Sequence, residues 1–178
     1  MWQTSATACA ALNGWLFDQG SLTQRLTQLC TGQFNVQLLN EGWQTLKHDE
    51  CQALGISNNS CGWVREVFLC DDQQPWVFAR SVASQAELVA ADFDISQLGT
   101  RSLGELLFSQ QAFSRGAMYI CQIPCTQLPV AAQQQATQTT HVWARRSCFQ
   151  KHKLGILVAE VFLPKLWQDT GHVAFNTL

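Results

Sequence analysis

The sequence predicts an α+β fold, a single domain in which helices cover an antiparallel sheet, and three observations carry this expectation. Residues 63–70 and 76–82 are apolar, strand-like runs joined by Asp71-Asp72-Gln73-Gln74-Pro75, a polar turn of hairpin length. Residues 142–149 and 154–163 repeat the arrangement around Gln150-Lys151-His152-Lys153. Ser21 with Gln24, and Ser102 with Glu105, stand three residues apart ahead of apolar helical stretches, the signature of a capping box at a helix start. The chain has 178 residues, enough for one domain with a real core and too few for two ordinary ones, so residues 1–178 are read as one unit.

In chain order, residues 1–14 carry little pattern, and the first helix signal is the Ser21 box, which puts Leu22 at the first helical position. Phe34, Val36 and Leu38 alternate with Asn35 and Gln37, the period of a half-buried strand. A looser region with turn residues at Gly55 and Asn58-Asn59 follows through residue 60. After the first hairpin, residues 83–92 suit a helix, and the Ser102 box opens another through Leu106, Leu107 and Phe108. Residues 113–124 read as a further strand. Residues 127–140, with Gln133-Gln134-Gln135 at their centre, read as a polar loop insertion of low complexity. The last strand, Gly155-Ile-Leu-Val-Ala-Glu-Val-Phe-Leu-Pro164, is apolar on both faces, as a central strand is. Trp167 and Phe175 in the tail are expected to pack as a short cover.

Charged residues make up only 13% of the chain, with a net charge of -2, where about 25% is usual. Such a balance gives no basic footprint for nucleic acid or anionic lipid, so any anion must be captured locally. No run approaches the roughly 18 apolar residues of a membrane span, and Met-Trp-Gln-Thr-Ser lacks the features of a signal peptide. A cytoplasmic monomer is the expectation, and its eight cysteines are expected as free thiols. Cys121, Cys125, His141 and Cys148 match no familiar zinc-ligand spacing, so no metal site is expected.

Two charges stand in apolar strand faces. Arg65 shares a face with Trp63, Val67 and Leu69, and Glu160 shares one with Ile156, Val158 and Phe162. An isolated ionised carboxylate there is costly, so Glu160 either finds a partner, in the protein or in a ligand, or stays protonated. Arg65 either pairs within the core or meets a ligand. The capped helices add free backbone N–H groups at Leu22 and Leu103, a natural anion site. A cation, amide donors, a carboxylate and aromatic walls together suit a small flat anion.

At these residues the sequence resembles the chorismate pyruvate-lyase family. The resemblance rests on Trp63-Val-Arg-Glu-Val-Phe-Leu-Cys70, Pro75-Trp76 followed by Arg80, Leu98-Gly-Thr-Arg-Ser-Leu-Gly-Glu-Leu-Leu-Phe108, Arg145-Arg146-Ser147 and Glu160-Val-Phe-Leu-Pro164. It implies a six-stranded antiparallel sheet with helices over an internal cavity, and elimination of pyruvate from chorismate to give 4-hydroxybenzoate for ubiquinone synthesis. No cofactor is implied. By the resemblance, Arg65 and the backbone amides at Leu22 and Leu103 hold the ligand, Glu160 lies at its hydroxyl end, and Arg65 and Glu160 carry the catalysis. Ala79 and Ala144 stand where that family frequently has glycine, so an added methyl at Ala79 bears on pocket shape. The competing reading is a non-catalytic module of the same fold that senses small aromatic acids. Such modules normally follow a DNA-binding segment, and the first 30 residues lack a basic helix-turn-helix pattern.

Overall fold

The computed structural model describes residues 1–93, 103–104, 107 and 113–176. Among them, seven strands form one antiparallel sheet: β1 (Phe34–Thr45), β2 (Cys61–Asp71), β3 (Gln74–Ser84), β4 (Ser114–Arg115), β5 (Tyr119–Pro124), β6 (His141–Lys151) and β7 (Leu154–Phe162). Their order is β1-β2-β3-β7-β6-β4, with β5 also paired to β6. The strand beyond the expected six arises because 113–124 divides in two. Gly116 interrupts the pairing yet still donates its N–H to Cys148 O at 2.8 Å, so both pieces lie along the same edge of β6.

Both hairpins form with two-residue turns, at 72–73 and 152–153. Asp72 (φ 49°) and His152 (φ 54°) adopt left-handed backbone at their first positions, the twist that lets right-twisted strands close on each other. Glu66 pairs with Arg80 and Arg65 with Ser81, although the register shifts between Leu69 and Cys70. As expected, β7 is central, lying between β3 and β6.

Three stretches differ from the sequence reading. The first strand does not end near Leu38: a bulge between Leu38 and Asn40 lets β1 continue to Thr45, and such a bulge destroys the alternation that marks a strand. The looser region through residue 60 holds α3 (His48–Leu54), where Glu50 accepts the Lys47 N–H at 2.9 Å. With Lys47 rather than Ser, Thr, Asp or Asn ahead of it, that start carries no cap signature. Residues 127–140 contain α5 (Val130–Gln134), and Leu128, Ala132 and Ala136 are buried against Phe68, Phe78 and Val161. The glutamine-rich composition hid a few small residues that pack on the sheet.

The other helices are α1 (Ala10–Leu16), α2 (Leu22–Leu29), α4 (Gln85–Ala90) and α6 (Pro164–Asp169). Ser21 Oγ accepts the Gln24 N–H at 3.3 Å, one half of the expected box. The box of Ser102 with Glu105 lies outside the described residues, though Leu103, Gly104 and Leu107 are helical. On one sheet face, α1, α2 and α6 pack Leu12, Trp15, Leu16, Leu26, Leu166 and Trp167 on Leu69, Val77 and Phe162. Trp15, Phe162, Trp167 and Phe175 stack in a chain with centroids 5.1–6.2 Å apart, so the tail is the expected cover. Each such buried side chain contributes roughly 1.5–3 kcal/mol. A second apolar cluster on the same face joins Trp63, Ala83, Leu88, Leu103, Leu107, Phe149 and Ile156. The opposite face is covered by α3 and α5.

Candidate active site

Between the two apolar clusters of the α1/α2 face run two polar rows set by strand register. One reads Val67, Ala79, Glu160, Arg145 across β2, β3, β7 and β6, and the next reads Arg65, Ser81, Val158, Ser147. Alternation puts all eight side chains on this face. Above them lies a cavity of about 50 Å³, lined by Arg65, Val67, Ala79, Ser81, Val158 and Glu160 below. Gly20, Leu22 and Thr23 at the start of α2, with Leu103, Gly104, Leu107 and Arg115, form most of the remaining wall. Every residue singled out from the sequence, Leu22, Arg65, Leu103 and Glu160, therefore borders one space.

The two buried charges have protein partners that the sequence reading left open. Glu160 Oε2 accepts from Arg145 Nε at 2.6 Å; the Arg145 side chain is fully buried and that of Glu160 is 13% exposed. Arg145 Nη1 donates to Trp15 O (2.8 Å), in the last turn of α1 where a helix dipole favours a cation, and to Asp18 O (3.0 Å), just beyond the helix. Arg65, 2% exposed, donates from Nη1 to Glu41 Oε2 at 2.9 Å. Glu41 faces Arg65 across β1 and β2. The sequence reading missed it because Glu41 lies beyond the bulge, in the looser region where no alternation marks a strand. Arg145 belongs to the Arg145-Arg146-Ser147 motif, and a buried Arg directly opposite Glu160 follows once the β6–β7 turn is fixed.

Arg115 was also missed. From β4, opposite Phe149, its guanidinium lies 5.1 Å from that ring, donates from Nε to Ser147 Oγ at 2.8 Å and from Nη1 to Gln19 O (3.1 Å) and Gly20 O (3.2 Å). Burial pulls its pKa down from the ordinary arginine value, because a low-dielectric setting penalises the charged form. Arg25 completes the cluster: it bonds Asp18 Oδ2 at 3.0 Å and lies 3.6 Å from the Trp15 ring centre. Burial would raise the Asp18 carboxyl, but the Gly20 amide and Arg25 outweigh it and hold the group below the usual range. Three arginines thus fix the 15–20 connector that delivers Leu22 to the cavity.

A larger open groove of about 740 Å³ lies on the opposite sheet face, bordered by Arg80, Arg146, Asp49 and Glu50. Its arginines are committed within the protein. Arg80 bonds Glu50 at 2.6 Å and Glu66 at 2.9 Å, and Arg146 bonds Asp49 at 2.9 Å. Burial draws the Arg80 pKa down, but the bonds and charges of Glu50 and Glu66 more than reverse it. The smaller cavity is the candidate site because Leu22, Arg65, Leu103 and Glu160 all line it. Among the described residues no group of three or more His, Cys, Asp or Glu is clustered to hold a metal ion. No described helix is long and apolar enough to cross a membrane.

The chain matches the family model described as chorismate lyase over residues 1–172. It is 52% identical over 169 residues to a probable chorismate pyruvate-lyase of Pseudomonas aeruginosa, covering 95% of this chain and 92% of that one. A probable chorismate pyruvate-lyase of Pseudomonas putida is 55% identical over 154 residues, covering 86% and 80%. Solved structures of similar shape include the effector domain of PhnF from Mycobacterium smegmatis, with TM-score 0.58, 11% identity and coverage of 83% and 91%. The effector-binding domain of the Bacillus subtilis trehalose repressor gives TM-score 0.56, 9% identity and coverage of 72% and 90%. At such identities these regulators share the fold alone.

Proposed function

The chain belongs to the chorismate lyase family, and from that premise we propose that it removes pyruvate from chorismate to leave 4-hydroxybenzoate, in the cavity between Arg65 and Glu160. The observation that carries this reading is the placement of Leu22, Arg65, Leu103 and Glu160 around one internal space. The ring carboxylate of the substrate meets Arg65 and the amide end of α2, while its C4 hydroxyl meets Glu160. Glu41 and Arg145 hold these two side chains in place beforehand, so the polar groups are already oriented when the ligand arrives. The cavity is small for a six-membered ring with two carboxylates, so binding requires α2 and the wall of Leu103, Gly104 and Leu107 to yield.

The reaction breaks the C3–O bond and removes the C4 hydrogen, and aromatisation of the ring drives it. Either the C4 hydrogen passes directly to the enolpyruvyl methylene, or a group at the hydroxyl end moves a proton, a task within reach of Glu160. Both routes are redox-neutral. Charge developing on the departing ether oxygen is favoured by fixed arginine and N–H donors in a dry cavity. The reading takes the protein as a cytoplasmic monomer whose site is built from one chain and whose product feeds ubiquinone synthesis. Incubation with chorismate tests it: equal amounts of pyruvate and 4-hydroxybenzoate are expected. Release of salicylate or anthranilate instead, or no turnover at all, would overturn it.

A further inference from the structure

Taking the cavity as the chorismate site, we propose that Arg115 is the residue that binds the side-chain carboxylate of the substrate, the charge that chorismate has and 4-hydroxybenzoate lacks. Chorismate is a dianion. Its ring carboxylate lies across the ring from the C4 hydroxyl, whereas the enolpyruvyl ether at C3 is next to that hydroxyl. A site that recognises both charges needs a second cation on the hydroxyl side.

The sheet supplies one. Arg65 stands on β2 at one end of its row, and Ser147 on β6 at the other, three strand spacings or about 14 Å away. Arg115 reaches that far end and bonds Ser147 Oγ. Glu160 sits on β7 in the neighbouring row, one strand from β6 and two from β2, so the hydroxyl-binding carboxylate is nearer the Arg115 end. Arg65 and Arg115 both line the cavity, and Arg145 meets Glu160. Ser147 Oγ, the Asp18, Gln19 and Gly20 carbonyls and Met118 Sδ hold the Arg115 guanidinium in place, so a carboxylate arriving there meets a fixed cation.

The test compares Arg115→Gln and Arg115→Lys with the wild type. It uses chorismate turnover and calorimetric binding of two stable probes: 4-hydroxybenzoate, a monoanion, and 3-[(1-carboxyvinyl)oxy]benzoate, an aromatic dianion carrying the same side chain. For Arg115→Gln, kcat/KM for chorismate and affinity for the dianion should fall about thirtyfold, the scale of one hydrogen bond to a charged group. Affinity for 4-hydroxybenzoate should stay within about threefold. Arg115→Lys should recover part of the loss for the dianion alone. Equal losses for both probes would mean that Arg115 only braces the connector, and unchanged dianion binding would remove it from the site; either result overturns the proposal. If Arg115→Gln fails to fold, the same comparison in Arg115→Lys decides. A wild-type protein that binds the dianion without turning over chorismate would sink the functional reading, while the two-probe comparison still judges Arg115.

Discussion

Replacing Glu160 with Gln removes one charge and leaves the fully buried Arg145 guanidinium facing a neutral amide. Removing one partner of a buried ion pair costs about 3–5 kcal/mol. The lower end applies, because Arg145 keeps its bonds to Trp15 O and Asp18 O and Glu160 retains some solvent contact. Glu160→Gln should therefore be about 3 kcal/mol less stable, and for a chain of this size Tm should drop by roughly 6–12 °C. Turnover per folded molecule should fall as well, by about a hundredfold if Glu160 moves or directs a proton. The double variant Glu160→Gln with Arg145→Met separates these effects, since an apolar side chain of similar length removes the stranded charge. It should regain only part of the lost melting temperature, because Trp15 O and Asp18 O lose their donor, and none of the activity. Thermal melts and chorismate turnover measured on the same samples are the assay. An unchanged Tm in Glu160→Gln would refute the buried pair, and near-normal turnover per folded molecule would refute a catalytic Glu160.

Arg65→Ala should weaken 4-hydroxybenzoate binding by tenfold or more, whereas Arg80→Ala should leave affinity per folded molecule unchanged and lower stability by about 3 kcal/mol, because two largely buried carboxylates lose their partner; calorimetry and melts report both. Asp71 accepts from Thr31 N, Thr31 Oγ1 and Gly32 N, and although burial raises its pKa these bonds hold it below the ordinary value. Its stabilisation is thus present above about pH 4, the unfolded value, and fades as pH falls through the lower folded value. Asp71→Asn should lower stability at pH 7 and flatten the acid side of the stability profile; an identical slope in both proteins would contradict this. Burial pushes the Cys70 and Cys121 thiols up to about 11, while Cys61 is exposed. Peptide mapping after brief iodoacetamide treatment at pH 8 should find Cys61 alkylated before Cys70 or Cys121.

What was legible in the sequence followed from local chemistry. The two hairpins announced themselves through apolar runs separated by polar turns, and Arg65 and Glu160 stood out because a charge in such a run is expensive. Their neighbours across the sheet were less legible. Glu41 lies past a bulge, so no period pointed to it, and Arg145 becomes Glu160's partner only when the β6–β7 register is known. Arg115 sits on a two-residue strand whose pattern is too short to read. The helix at Val130–Gln134 is written in alanines among glutamines, a composition that resembles a loop until the sheet offers a surface for Ala132 to pack on.

The central claim is that the small cavity on the α1/α2 face is where chorismate is held and aromatised, and a crystal structure of the protein with 4-hydroxybenzoate tests it most directly. The account predicts density for the aromatic acid beneath Leu22 and Leu103, with its carboxylate on Arg65 and its hydroxyl on Glu160. Density found instead in the opposite groove, beside Arg80 and Arg146, with the internal cavity filled only by water, would contradict it.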